Sequence, residues 1–123
     1  MLWTYWVGIG SLFAALAVAC GAFGAHALKS KLSAADLDIW NTAAQYQMTH
    51  AIALVMVGLV STRISGLPMK ISGISFVLGI LFFSGSLYTL VLSGHRVLGA
   101  ITPIGGVGFI VGWLALAWAM FTV

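Results

Sequence analysis

Charged residues are scarce in this chain. Only 6% of its 123 residues are Asp, Glu, Lys or Arg, whereas 62% are hydrophobic; a soluble domain averages about 25% charged residues. Such a composition cannot cover a water-facing surface, so it excludes an ordinary soluble domain and indicates an integral membrane protein. The basic residues fall near the ends of apolar runs and form no stripe of the kind that binds nucleic acid, which excludes a nucleic-acid partner.

Acids and cysteines are scarcer still. The chain has two acids, Asp36 and Asp38, and one cysteine, Cys20, which excludes an internal disulfide and a thiolate metal cluster. Without an acid inside an apolar run, a small cation exporter that works through an intramembrane carboxylate is disfavoured. No Ser-His-Asp, Cys-His or paired-carboxylate set is found, so we predict no enzymatic activity, no metal and no cofactor.

Four long apolar runs, separated by short polar connections, make up the rest of the chain. A helix needs about 20 residues to cross the roughly 30 Å of hydrocarbon in a bilayer. The sequence therefore predicts an all-α membrane protein, with residues 1–123 forming a single domain of four antiparallel transmembrane helices in a compact bundle. The predicted helices cover about residues 3–25, 34–63, 69–92 and 103–122. Ser33 and Thr102 are the predicted N-caps of the second and fourth helices, and Pro103 suits a first helical turn.

Small residues recur at four-residue spacing on several of these helices. Lipid offers little hydrophobic drive for helices to associate, so close packing depends on small side chains that let backbones approach. This pattern predicts tight contacts within the bundle, and a contact with another copy or another protein is the alternative. The predicted packing residues are Gly21, Ala25, Gly79, Gly108 and Gly112.

The second helix carries an unusual number of polar residues. Asn41, Gln45 and Thr49 share one stripe, and Tyr46 and His50 form another stripe about 100° away. Polar side chains at membrane depth normally face other helices or a cavity. We therefore expect both stripes to form one broad polar face that turns into the bundle.

A candidate polar pocket follows from that expectation. His26, at the end of the first helix, is predicted to lie on the same side of the membrane as the start of the second. The six residues predicted to line the pocket are His26, Gln45, Tyr46, His50, Ser84 and Tyr88. One interpretation is structural hydrogen bonding between helices; the others are a proton relay, a polar anchor for a quinone or lipid, or a metal or haem ligand. Haem is the least favoured, because His26 and His95 lie near helix ends rather than at one depth.

Four stretches resemble a known family. They are "GAFGAHALK" (21–29), "AAQYQMTHAIALV" (43–55), "FFSGSLYTLVLSG" (82–94) and "ITPIGGVGFIVGW" (101–113), and they are similar to the YgdD/YwdK family of small four-helix membrane proteins of unknown function. The resemblance covers nearly the whole chain. It implies that the marked polar positions are His26, Gln45, Tyr46, His50, Ser84, Tyr88, Thr102 and Pro103. In many relatives an aromatic residue stands where this chain has Thr49.

The sidedness of the membrane insertion does not follow from charge. Lys29, Lys31 and Arg96 fall on one side, and Arg63, Lys70 and the α-amino group on the other. The basic residues that set orientation are therefore balanced. The family resemblance implies cytoplasmic termini, and we expect a multi-pass protein of the inner (plasma) membrane.

Two functions of different classes fit these observations. The first is an interaction or accessory component of a larger membrane assembly, whose partners are membrane lipid, other membrane protein subunits or further copies of the same chain. The second is a protein that binds or transports a lipid, a quinone or another small molecule through the pocket around His26, Gln45 and His50.

Overall fold

A computed structural model describes residues 2–123, and the described chain folds into four long helices. Each is long and apolar enough to cross a membrane, and consecutive helices run in opposite directions. A short 3₁₀ turn, Arg96–Ala100, precedes the fourth helix. The helices are α1 (Leu2–Leu28), α2 (Ala34–Val60), α3 (Leu67–Ser93) and α4 (Thr102–Phe121).

The helix ends follow local chemistry, with one exception. The Ser33 hydroxyl oxygen accepts a hydrogen bond from the Asp36 N–H at 3.1 Å, so Ser33 caps α2 as predicted. Gly94 ends α3 with a φ of 74°, a left-handed conformation that favours glycine. The prediction that Thr102 caps α4 is wrong, because Thr102 is already helical and its hydroxyl lies 2.7 Å from the Ser86 hydroxyl on α3.

Glycines on α1 and α2 allow these two helices to pack closely. A Cβ placed on Gly10 would stand 2.8 Å from the Ala51 carbonyl oxygen, and one placed on Gly58 would stand 2.9 Å from the Trp3 carbonyl oxygen. Both distances are too short for a real side chain. The backbones therefore meet directly, and this contact fixes the rotation of α2 against α1.

The α3–α4 contact is equally close. A Cβ on Gly108 would lie 3.3 Å from the Gly79 Cα, and a Cβ on Gly112 would lie 2.6 Å from the Phe76 ring. Gly21 and Ala25 differ from the expectation: a Cβ on Gly21 would meet nothing within 4 Å, and Ala25 is exposed. The reason is that α1 packs on α2 through the line of residues that includes Gly10, whereas Gly21 and Ala25 lie beside this line of contact.

A bidentate ion pair holds one end of the bundle together. Arg96, in the turn before α4, donates two hydrogen bonds to the Asp36 carboxylate, at 2.9 and 3.1 Å. Asp36 lies in the first turn of α2. The connection between α3 and α4 is thus attached to the start of α2, although solvent screening makes an exposed pair of this kind a weak contribution to stability.

Candidate functional site

His50 lies in an aromatic cluster near the middle of α2. Only 5% of it is exposed, and its ring stacks on the Phe109 ring with 3.6 Å between centroids. Its Nδ1 lies 2.7 Å from the Tyr46 carbonyl oxygen, and its Nε2 lies 3.1 Å from the Trp113 indole nitrogen. A carbonyl only accepts and an indole only donates, so Nδ1 carries the proton and Nε2 accepts. Both nitrogens of a neutral imidazole are therefore already in use.

Gln47 connects three helices, although the sequence analysis did not select it. The Tyr88 hydroxyl donates to the Gln47 side-chain oxygen at 2.8 Å, and the Gln47 amide nitrogen donates to the Phe13 carbonyl at 2.9 Å. Gln47 is 4% exposed. It lies three residues before His50, on the same helix face. This spacing is the sequence pattern from which the inward position of Gln47 could have been predicted.

Buried hydroxyls and one indole join further helix pairs. Ser84 donates to the Ala43 carbonyl and Ser72 to the Gly112 carbonyl, both at 2.8 Å. The Trp40 indole donates to the Cys20 carbonyl, also at 2.8 Å. Within residues 2–123, no fully buried side-chain nitrogen or oxygen lacks a hydrogen-bond partner. The interior polar side chains therefore bind one another or backbone carbonyls, and a ligand would have to displace an existing bond.

The six predicted pocket residues occupy three different environments. His50, Ser84 and Tyr88 belong to the interior network just described. Tyr46 is 45% exposed, and its ring packs on Phe83 with 4.7 Å between centroids. His26 and Gln45 are exposed, and neither side chain makes a hydrogen bond in the part of the chain that the structure describes. The six side chains therefore do not line one shared cavity.

The stripe of Asn41, Gln45 and Thr49 lies outside the buried face of α2, with the Asn41 side-chain oxygen at its edge beside Gly24 of α1, so the expectation that the stripe faces inward is wrong. All three residues are exposed, and among residues 2–123 none of their side chains has a hydrogen-bond partner. The buried residues of α2 lie on the opposite side of the helix: Trp40, Ala43, Ala44, Gln47, His50, Ala51, Ala53, Leu54, Val57 and Gly58. The close α1–α2 contact determines which side of α2 is buried.

The stripe lies near the middle of the α2 helix. Gln47 is the middle residue of α2, and at 1.5 Å per residue Gln45 and Thr49 lie about 3 Å from it along the axis and Asn41 about 9 Å. The hydrocarbon extends about 15 Å to each side of the bilayer midplane. With the helix centred in the bilayer, all three polar side chains would face lipid in an isolated chain.

Several cavities open elsewhere on the bundle. A groove of about 230 Å³ lies between α1 and α3, where Cys20, Gln47 and Tyr88 line it together with apolar side chains. A second, of about 300 Å³, lies at the other end of the bundle beside Trp3, Ser65 and Lys70. Neither contains His26 or Gln45. Among residues 2–123, no three His, Cys, Asp or Glu side chains are placed to hold a metal ion.

Comparison with known proteins gives consistent matches along the chain. Residues 20–106 match the family described as "Protein of unknown function (DUF423)". The chain is 49% identical to a UPF0382 membrane protein of Staphylococcus saprophyticus over 117 residues, which is 94% of this chain and 95% of the relative. It is 43% identical to the UPF0382 membrane protein YwdK of Bacillus subtilis over 109 residues, 88% of this chain and 89% of the relative. No solved structure shows significant similarity to it.

Proposed function

This chain belongs to the DUF423 family, and on that premise we propose that it acts as an interaction component of a larger membrane assembly. The family resemblance found in the sequence is confirmed by the match to YwdK. The chain is an all-α membrane protein with four helices that can span the bilayer. The proposed role is non-enzymatic.

The outward polar stripe of α2 is the observation that carries this proposal. Moving an amide from water into a hydrocarbon that cannot hydrogen-bond costs about 4–8 kcal/mol. Asn41 and Gln45 would meet that environment on an isolated chain. In membranes such groups act as contacts between helices, and each hydrogen bond stabilises an association by about 0.6 kcal/mol on average. A protein partner on this face would give the amides and the Thr49 hydroxyl the partners that lipid tails lack.

The interior hydrogen-bond network favours an interaction role over a ligand-binding site formed by His50 and Gln47. His50 and Gln47, two polar residues near the middle of α2, are buried, and each makes two side-chain hydrogen bonds within the bundle. The outward stripe, in contrast, has its hydrogen-bonding capacity free within the described chain. The surface available for a new polar contact is therefore the outside of α2.

Extraction into lipid-preserving particles, followed by native mass measurement, tests the proposal. We expect a mass well above the 12.9 kDa of one chain. We also expect Gln45→Leu combined with Thr49→Val to shift the population toward the single chain. A wild-type monomer without a protein partner would contradict the proposed role.

Ser11→Ala is the matched control for that measurement. Ser11 is also an exposed polar residue on a spanning helix, but its hydroxyl donates to the Val7 carbonyl of its own helix at 2.8 Å. Removing it leaves the outward stripe of α2 unchanged. The control should therefore keep the wild-type mass.

Binding of a lipid, a quinone or another small molecule is the second candidate function. The groove of about 230 Å³ beside Gln47 and Tyr88 favours it, because its wall is apolar and its polar groups are few. In the same native mass spectra, a stoichiometric lipid or quinone that Leu16→Trp displaces would support this candidate, because Leu16 also lines the groove. Spectra without any retained small molecule would speak against it.

We further propose that the protein lies in the inner (plasma) membrane with both termini in the cytoplasm. An even number of antiparallel spans puts both termini on one side, and the family resemblance supports the cytoplasmic side. A C-terminal fluorescent fusion should fold and fluoresce, whereas a C-terminal alkaline phosphatase fusion should be inactive. The reverse result would assign the termini to the outside.

A further inference from the structure

We infer that the partner on the outward face of α2 is a second copy of this chain, related to the first by a two-fold axis along the membrane normal. This inference rests on the interaction role proposed above and makes its partner specific. The contact would run α2 against α2, with the outer faces of the two helices opposed.

Depth determines which residues meet in such a pair. Two copies inserted in the same orientation and related by this axis place identical residues at the same depth. Gln45 of one copy then faces Gln45 of the other, and Thr49 faces Thr49. A two-fold contact of this kind requires a surface that is complementary to itself.

The chemistry of the stripe meets that requirement. A primary amide carries two donor hydrogens and an acceptor oxygen, and a hydroxyl both donates and accepts. Two Gln45 side chains can therefore exchange hydrogen bonds with each other, as can two Thr49 hydroxyls or two Asn41 amides. The stripe has no charged group among these three residues, so pairing it with itself brings no like charges together inside the hydrocarbon.

The spacing along α2 continues the contact surface toward the other end of the helix. Gln45, Thr49, Ile52, Met56 and Leu59 are all exposed, and their spacings alternate between four and three residues. That alternation is typical of the residues that line the contact, or seam, between two helices crossing at about 20°. Ile52, Met56 and Leu59 supply the apolar half of the seam, and the polar half sets the register, as single buried polar residues do in coiled coils.

Asp38 belongs to the same face but lies at its edge. It is nine residues before the middle of α2, about 14 Å along the axis, where the helix reaches the end of the hydrocarbon. Water and salt screen charges there. The two carboxylates of a pair therefore oppose the contact only weakly.

Cysteine cross-linking in native membranes tests the inference. In a Cys20→Ala background, single cysteines are placed at Gln45, Thr49, Ile52 and Met56, and an oxidant is added. We expect a disulfide-linked species of twice the chain mass at all four positions. Cysteines at Ile110 and Leu114, which are as exposed but lie on α4, should give none.

A second set of variants measures the contribution of the polar atoms. With the reporter cysteine at Ile52, we expect Gln45→Leu combined with Thr49→Val to reduce cross-linking about tenfold, because interhelical hydrogen bonds at both positions are lost. Gln45→Asn, which keeps the amide, should retain most of it. Circular dichroism of each variant confirms that the monomer is folded.

The outcomes separate this inference from the broader proposal. Cross-links from the seam to a different protein would overturn the second-copy assignment and leave the interaction role standing. Cross-links with equal yield from α2 and α4 would indicate random collision and would also overturn the assignment. No cross-link from the seam, together with a monomeric native mass, would contradict both.

Discussion

Gly105→Ala is expected to lower the free energy of unfolding by about 3 kcal/mol, at the upper end of the range for overpacked interiors. A Cβ on Gly105 would stand 2.7 Å from the Phe83 Cα and closer still to the Phe83 nitrogen. These are backbone atoms of α3, which cannot swing aside as the end of a side chain can. Accommodating one methyl group requires α3 and α4 to separate. Reversible unfolding in mixed micelles, followed by circular dichroism, measures the loss.

Gly106→Ala is the control, one position along the same helix. A Cβ there would meet only the Phe83 ring, at an ordinary 3.9 Å. Both substitutions add the same methyl group to the same helical turn, so they share any effect of helix propensity. The control should change stability by less than about 0.5 kcal/mol. Equal stabilities of the two variants would show that α3 and α4 do not approach as closely as described.

The backbone of α3 is locally modified at this contact. Residues Ile80–Ser84 form a π-helical stretch within α3, and Gly105 packs on Phe82 and Phe83 inside it. Such stretches interrupt the regular hydrogen-bond ladder of a helix. Gly105 therefore packs against the π-helical segment of α3. The space between the two helices is too small there for an added methyl group.

The four-helix fold was predictable from sequence, because the thickness of a bilayer imposes the length of each apolar run. The cap at Ser33 was also predictable, since a capping hydroxyl acts on the residues that immediately follow it. The actual contact of Thr102 was not predictable in the same way. Its hydroxyl bonds to Ser86, and only the packing of α4 on α3 brings these two residues together.

The rotation of α2 was the main feature that the sequence analysis missed. Polar residues occupy both sides of this helix, so polarity alone offers two possible inward faces. The contacts of Gly10 with Ala51 and of Gly58 with Val7 decide between them, and both join residues far apart in the sequence. They turn Gln47 inward and Gln45 outward. The candidate site changed accordingly, from one interior pocket to an interior network and a separate outer face.

His50→Ala is expected to lower the free energy of unfolding by about 2–4 kcal/mol, the usual range for emptying a well-packed site. The His50 ring stacks on Phe109 and contacts Phe76 and Trp113, so its removal leaves a cavity. It also removes the acceptor of the Trp113 indole N–H. Unfolding in mixed micelles gives the total loss. Thr49→Ala, which changes the preceding residue on the outward face of α2, should change monomer stability by less than about 0.5 kcal/mol.

His50→Phe separates the two parts of that loss. A phenyl ring fills most of the space and keeps the stack on Phe109, but it cannot accept from Trp113. It also lacks the Nδ1–H that donates to the Tyr46 carbonyl, so the expected cost is that of two hydrogen bonds, each about 0.6 kcal/mol and at most about 1.7 kcal/mol in a membrane protein. In a double-mutant cycle, Trp113→Phe added to His50→Phe should cost less than the sum of the single changes. If His50→Ala unfolds as the wild type does, the ring does not hold the helices together, and a ligand-binding role for His50 regains support.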